Sequence, residues 1–251
     1  MKIAFTTFLC VLSFWVSAQQ LDKSDIESVS EFITCLKSKN VTRLSSLVLF
    51  PLRRGYPIPP VKDRLEFIKR FDQIFDDELI KKIVQSDPSK DWSEVGWRGI
   101  SFENGLIWID TEGELTAVNY HSKVEQDLLR NLIETGRKSL PKSLQEFKTP
   151  TLFMETSTYR IRVDDLGDGN YRYASWPIDK KMSEEPSVVI NGGEWVPEGS
   201  GGNHKFEFKK DGYKYECDIV ILGEANSPPA YLRIYRDQKE IFSESAIRLE
   251  E

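Results

Sequence analysis

Glu94-Val95-Gly96-Trp97-Arg98-Gly99-Ile100-Ser101-Phe102-Glu103-Asn104-Gly105-Leu106-Ile107-Trp108-Ile109-Asp110-Thr111-Glu112-Gly113-Glu114-Leu115-Thr116-Ala117-Val118-Asn119-Tyr120-His121 is the stretch on which the fold turns. Asn104-Gly105 between two apolar runs is a strong hairpin signal, because a type I′ turn requires positive φ at both central residues. Glu112-Gly113 supplies a second turn, so the stretch predicts a three-stranded antiparallel meander. A two-residue loop at Asn104-Gly105 sets Phe102 opposite Ile107, Ser101 opposite Trp108 and Ile100 opposite Ile109. A second at Glu112-Gly113 sets Asp110 opposite Leu115 and Trp108 opposite Ala117. Paired residues share a face. One face therefore carries Ile100, Phe102, Ile107, Ile109, Thr116, Val118 and Tyr120, and is a core face. The other carries Trp97, Gly99, Ser101, Trp108, Asp110, Leu115, Asn119 and His121. Two indoles among polar tips suit a pocket, a domain interface or a second core.

The chain begins Met1-Lys2, continues in an apolar run from Ile3 to Val16, and reaches small residues at Ser17-Ala18. That pattern predicts a secretory signal, residues 1–18, cleaved after Ala18. The run is short of the roughly 20 residues a membrane span needs, and no later stretch is long enough either. The expectation is a secreted or periplasmic chain with no membrane insertion after cleavage. Loss of Lys2 leaves 33 basic side chains (34 minus one) against 40 acidic ones, a net charge of −7. That balance argues against nucleic acid as a partner. Cys35 and Cys217 remain, enough for one bridge or two buried thiols. Alternation in Tyr213-Lys214-Tyr215-Glu216-Cys217-Asp218-Ile219 puts Cys217 on an apolar face.

Working outward from the meander, Asp22 to Lys39 reads as a helix with Ile26, Val29, Phe32, Ile33 and Leu36 on one stripe, and Ser24 with Glu27 as its capping box. A short helix follows from Thr42. Tyr56-Pro57-Ile58-Pro59-Pro60 cannot be helix interior. Val61 to Ile68 and Asp72 to Val84 resume helical spacing, and Ser122 to Leu140 forms a helix after the meander. Lys142 to Pro150 is polar and bounded by prolines, and is placed as a linker. From Thr151 onward, seven short runs with Asp168-Gly169 and Asp211-Gly212 turns predict an all-β sandwich or barrel.

The order helix, helix, short strand, paired helices, meander covers Asp22 to His121. With Phe67-Ile68-Lys69-Arg70-Phe71-Asp72-Gln73-Ile74-Phe75 and Gly96-Trp97-Arg98-Gly99-Ile100, it resembles the nuclear-transport-factor-two-like (SnoaL-like) superfamily. The resemblance implies a cone-shaped α+β fold, and its enzymes often place an Asp–His pair in the cone. Only Asp110 and His121 are available for such a pair, and the register sets them roughly 20 Å apart. The superfamily also holds many non-enzymatic members, so the fold alone does not decide function.

The expected organisation is thus α+β: a signal at 1–18, a cone-like α+β domain at 19–141, a linker at 142–150 and an all-β domain at 151–251. No catalytic residue, metal ligand or cofactor is predicted. The carboxylates of Asp76-Asp77-Glu78 diverge by about 100° per residue on a helix. Asp164 to Asn170 lacks the closing Glu of a calcium loop. Gly192-Gly193 and Gly199-Ser200-Gly201-Gly202 lack a phosphate-loop ending, and His204 has no second metal ligand nearby. The predicted ligand-binding residues are Trp97, Trp108, Asp110, Asn119 and His121. They suit non-enzymatic binding of a small molecule or a protein. The alternative is an enzyme using Asp110 or His121 as general base.

Overall fold

The computed structural model describes residues 21–199 and 201–248; the signal expected at residues 1–18 lies outside them. Its helices are α1 (Lys23–Lys37), α2 (Val41–Ser45), α3 (Arg64–Ile74), α4 (Asp77–Val84) and α5 (Lys123–Ser139). Strands β1 (Trp92–Glu94), β2 (Ile100–Phe102), β3 (Ile107–Ile109) and β4 (Leu115–Val118) form one antiparallel sheet in that order. Strands β5 (Thr149–Glu155), β6 (Tyr159–Gly167), β7 (Asn170–Pro177), β8 (Val188–Glu198), β9 (Asn203–Lys210), β10 (Tyr213–Ile219), β11 (Ala230–Arg236) and β12 (Lys239–Arg248) close into a barrel.

The contacts divide the chain into two units. The first runs to Leu49 and resumes over Asp77–Tyr120; the second takes Phe50–Asp76 and everything from His121. This division falls elsewhere than the expected 142–150 linker, and it splits the 22–121 segment on which the family resemblance rests.

In the first unit, α1 starts on Asp22, whose side chain accepts from the Asp25 amide; the cap lies two residues ahead of the Ser24-Glu27 box. Val29, Phe32 and Leu36 bury its apolar stripe, and Leu79 and Ile83 do the same for α4. Trp92 on β1 stacks on Phe102 at 4.8 Å and meets the edge of Phe32 at 6.1 Å. The meander thus gains a fourth strand that the turn signals did not mark.

Register across β2 and β3 is as expected: Ile100 faces Ile109, Ser101 faces Trp108 and Phe102 faces Ile107. The loop is different. Glu103, Asn104 and Gly105 all take positive φ, and the Leu106 amide bonds to the Phe102 carbonyl, so four residues turn the chain instead of two. Both loops preserve the same pairing, which is why the register survives. Between β3 and β4 a bulge intervenes, and Ile109, not Asp110, faces Leu115. Such a shift exchanges faces: Leu115 joins the core and Thr116 does not.

The second unit holds the barrel, α3 and α5. Each strand pairs antiparallel with its neighbours in sequence, and the ring closes where β12 meets β5 through Ile247–Glu155 and Arg248–Met154. An all-antiparallel ring closes only with an even number of strands, so seven expected strands required one more. That strand is β5, which begins inside the expected linker. The linker itself is packed: Leu140, Leu144 and Phe147 are buried with Ile133 of α5 and with Ala174 and Trp176 of β7. Residues 140–148 and α5 therefore cover an outer wall of the barrel. Inside, Met154, Ile161, Val163, Tyr173, Phe208, Cys217 and Leu232 fill the lumen. Cys35 and Cys217 are both buried free thiols, with burial pushing the Cys217 thiol up.

Candidate functional site

Four of the five sequence-predicted residues, Trp97, Trp108, Asp110 and Asn119, belong to the first unit; His121 belongs to the second. Trp97 lies in a single 3-10 turn, Gly96–Arg98, rather than on β2; it is 65% exposed and lies beside the Arg98 guanidinium. Gly99 leaves no room beside the sheet, because with φ at +86° a Cβ there would stand 2.3 Å from the Ile109 carbonyl oxygen. The polar tips serve the backbone. Asp110 Oδ1 accepts from the Glu112 and Glu114 amides at 3.0 and 2.9 Å, closing the turn. Asn119 Nδ2 donates to the Gly105 carbonyl at 2.7 Å. These groups are spent on turns, and little is left of the polar lining a pocket needs.

His121 has company the sequence reading missed. Ser122 caps α5, and its hydroxyl accepts from the Glu125 amide. One turn into the helix, Glu125 is fully buried and holds the equally buried Arg54 side chain through Nε (2.9 Å) and Nη2. His121 Nδ1 lies 3.4 Å from Glu125 Oε2, with its side chain 36% exposed. A histidine oriented by a carboxylate is the core of many proton-transfer sites. Here the carboxylate is already satisfied by a guanidinium, so the cluster is chiefly a buried ion pair with an imidazole at its edge. The signal was His121 and Glu125 at helical i, i+4 spacing.

A second buried network lies on the outer wall of the barrel. Alternation along β6 turns Ile161 and Val163 inward and Arg162 and Asp164 outward. Arg172 on β7 faces Asp164 in register. Asp164 has no exposed surface; Arg162 Nε reaches its Oδ1 at 2.8 Å and Arg172 Nη2 its Oδ2 at 2.7 Å. Arg172 also donates to the carbonyls of Leu144 and Glu146, which ties residues 140–148 to the wall. Arg162 and Arg137 each lie 4.9 Å from the Phe147 ring centroid.

Beside this network is a pocket of about 310 Å³. Pro57, Leu132, Ile133, Phe147 and Met182 give it apolar walls, Tyr56, Thr135 and Ser139 bring hydroxyls, and Arg162 is the single charged lining residue. A mostly apolar concavity with a few polar groups is the usual form of a small-molecule site, and this volume is at the small end of the range.

On the wall formed by β9, β10 and β11 a third cluster titrates. Glu216 is held by Lys205 and Lys214 at 2.9 and 2.7 Å, and Asp218 faces Arg233 at 3.1 Å. Burial pushes Asp218 up to about 6, against the pull of Arg233 and with the help of Glu216. A raised carboxyl can mark a functional site. Here the neighbours are a lattice of ion pairs on an outer wall, and the concavity that Lys214 lines with Glu207, Lys209 and Tyr235 is open to solvent. The folded-state value exceeds the ordinary 3.8, so the folded chain holds more protons between about pH 4 and 6. The stability this group gives when protonated is accordingly lost as pH rises through 6. Asp218→Asn is expected to raise the denaturant midpoint at pH 7.5 and leave it nearly unchanged at pH 4. Equal effects at both pH values would show that Asp218 titrates normally.

No family model matches the chain, and neither the curated proteins nor the solved structures give a match. Among the described residues no helix is long and apolar enough to cross a membrane.

Proposed function

We propose that this chain is an exported, non-enzymatic binding protein that holds a small, largely apolar molecule in the pocket on the outer wall of its barrel. The observation that carries this reading is the pocket itself: seven apolar side chains and three hydroxyls around one buried guanidinium. The filled lumen supports it indirectly, since a packed interior leaves the walls as the place for a ligand. The test is calorimetric titration of the mature chain with 1-octanol and octanoate, alongside Ser139→Trp, which places an indole in the pocket. Saturable heat that is lost in Ser139→Trp supports the reading. Heat unaffected by the variant, or none at millimolar ligand, overturns it.

Export rests on the amino-terminal pattern and has its own check. Intact mass of the protein recovered outside the cytoplasm should begin at Gln19; a retained Met1 would remove this part of the proposal. The SnoaL-like cone over Asp22–His121 stays within the proposal on element order alone. A second reading, with His121 as a general base, draws on its 3.4 Å approach to Glu125. It predicts a pH-dependent hydrolytic or isomerising activity abolished by His121→Ala, whereas the binding reading predicts that this variant binds normally.

A further inference from the structure

The pocket's one charged wall is not electrically neutral. Asp164 carries one negative charge and faces two guanidiniums, Arg162 and Arg172, all three of them more than nine-tenths buried. Arg172 is largely spent: Nη1 and Nη2 donate to the Glu146 and Leu144 carbonyls, and Nη2 also meets Asp164. Arg162 donates from Nε to Asp164 Oδ1 at 2.8 Å, whereas its Nη2, though 2.7 Å from the same oxygen, is buried and makes no hydrogen bond among the described residues. No hydrogen bond from its Nη1 is found among the described residues. Among the described residues no acid lines the pocket. Arg137, which lies over the same Phe147 ring, adds no negative charge and has its own partner in Glu134.

Burying a cation without a full counter-charge is costly, and such charges in proteins are paired or wait for a partner. From this excess, and resting on the binding reading above, we infer that the pocket's ligand is an amphipathic monoanion, with its carboxylate on Arg162 and its short chain or ring among Leu132, Ile133, Phe147 and Met182. Guanidinium geometry suits a planar carboxylate, and the apolar wall suits the remainder of the molecule. The size of the pocket limits that remainder to about eight carbons or one aromatic ring.

The test uses a head-group series on the full chain: octanoate, 1-octanol and octylammonium, titrated calorimetrically into the wild type and into Arg162→Met. A charge-assisted bond predicts that octanoate binds about 10- to 100-fold tighter than octanol, with octylammonium weakest. In Arg162→Met, Asp164 keeps Arg172, so the variant is expected to fold, and octanoate and octanol should bind alike. Equal wild-type affinities for octanoate and octanol would overturn the anion inference while leaving the pocket intact. Absence of binding by every member would instead overturn the binding reading on which it rests. The wild-type comparison stands even if the variant is unstable.

Discussion

Glu125→Gln is expected to cost the second unit about 3–5 kcal/mol, because it removes the charge that balances a buried guanidinium. The Arg54 and Glu125 side chains have no exposed surface, and the pair is bidentate in geometry. Glutamine keeps the shape of the glutamate and removes its charge, so Arg54 keeps its desolvation cost and loses the attraction that offsets it. The double change Arg54→Met with Glu125→Leu should recover most of the loss, since a buried pair replaced by apolar groups is often neutral. Denaturant melts of the two variants decide the matter. A loss below about 1 kcal/mol in Glu125→Gln would mean that water reaches the pair. His121 is at the edge of the cluster and partly exposed, and its removal should cost far less than either partner's.

Asp164→Asn carries the second large effect, again about 3–5 kcal/mol, and for a sharper reason. It takes away the carboxylate that, among the described residues, alone pairs with both buried guanidiniums. Arg162→Met removes the surplus charge instead and leaves one pair, so its cost should be much smaller. This ordering separates a network held by charge balance from one held by shape. If Arg162→Met proves the more damaging, packing of the Arg162 stem against Phe147 dominates, and the excess-charge account of the pocket loses its footing.

Much of the scaffold was legible in the sequence because it depends on short-range rules. Strict alternation in Tyr159–Val163 and Tyr213–Ile219 marks strands, and the helical stripes of α1 and α5 are plain. The β2–β3 register followed from Asn104-Gly105 even though the loop is longer than expected, since two- and four-residue loops preserve the same pairing. What failed was longer in range. A bulge between β3 and β4 reversed Leu115 and Thr116, and no local residue announces it. The 142–150 segment looked like a linker because it is polar and proline-bounded; its burial depends on Arg172, which comes from a strand more than 20 residues away. The site suffered most. Asp110 and Asn119 attract notice as polar residues beside indoles, yet both are taken up by backbone groups, Asp110 by its own turn and Asn119 by the Gly105 carbonyl of the preceding loop. Asp164 reads in the sequence as the start of the Asp164–Asn170 turn and Arg162 as an ordinary strand residue, and only the covering of that wall by residues 140–148 makes them buried.

The central claim is that the ligand lies on the outer wall of the barrel and not within it. The methionines report on this directly. Met1 precedes the expected cleavage point, Met154 is buried in the lumen, and Met182 lines the outer pocket. Methyl-labelled methionine in the mature chain should give two signals. On titration with octanoate, the Met182 signal should move saturably while that of Met154 stays in place. Movement of Met154 with Met182 unmoved would place the ligand inside the barrel and contradict the account.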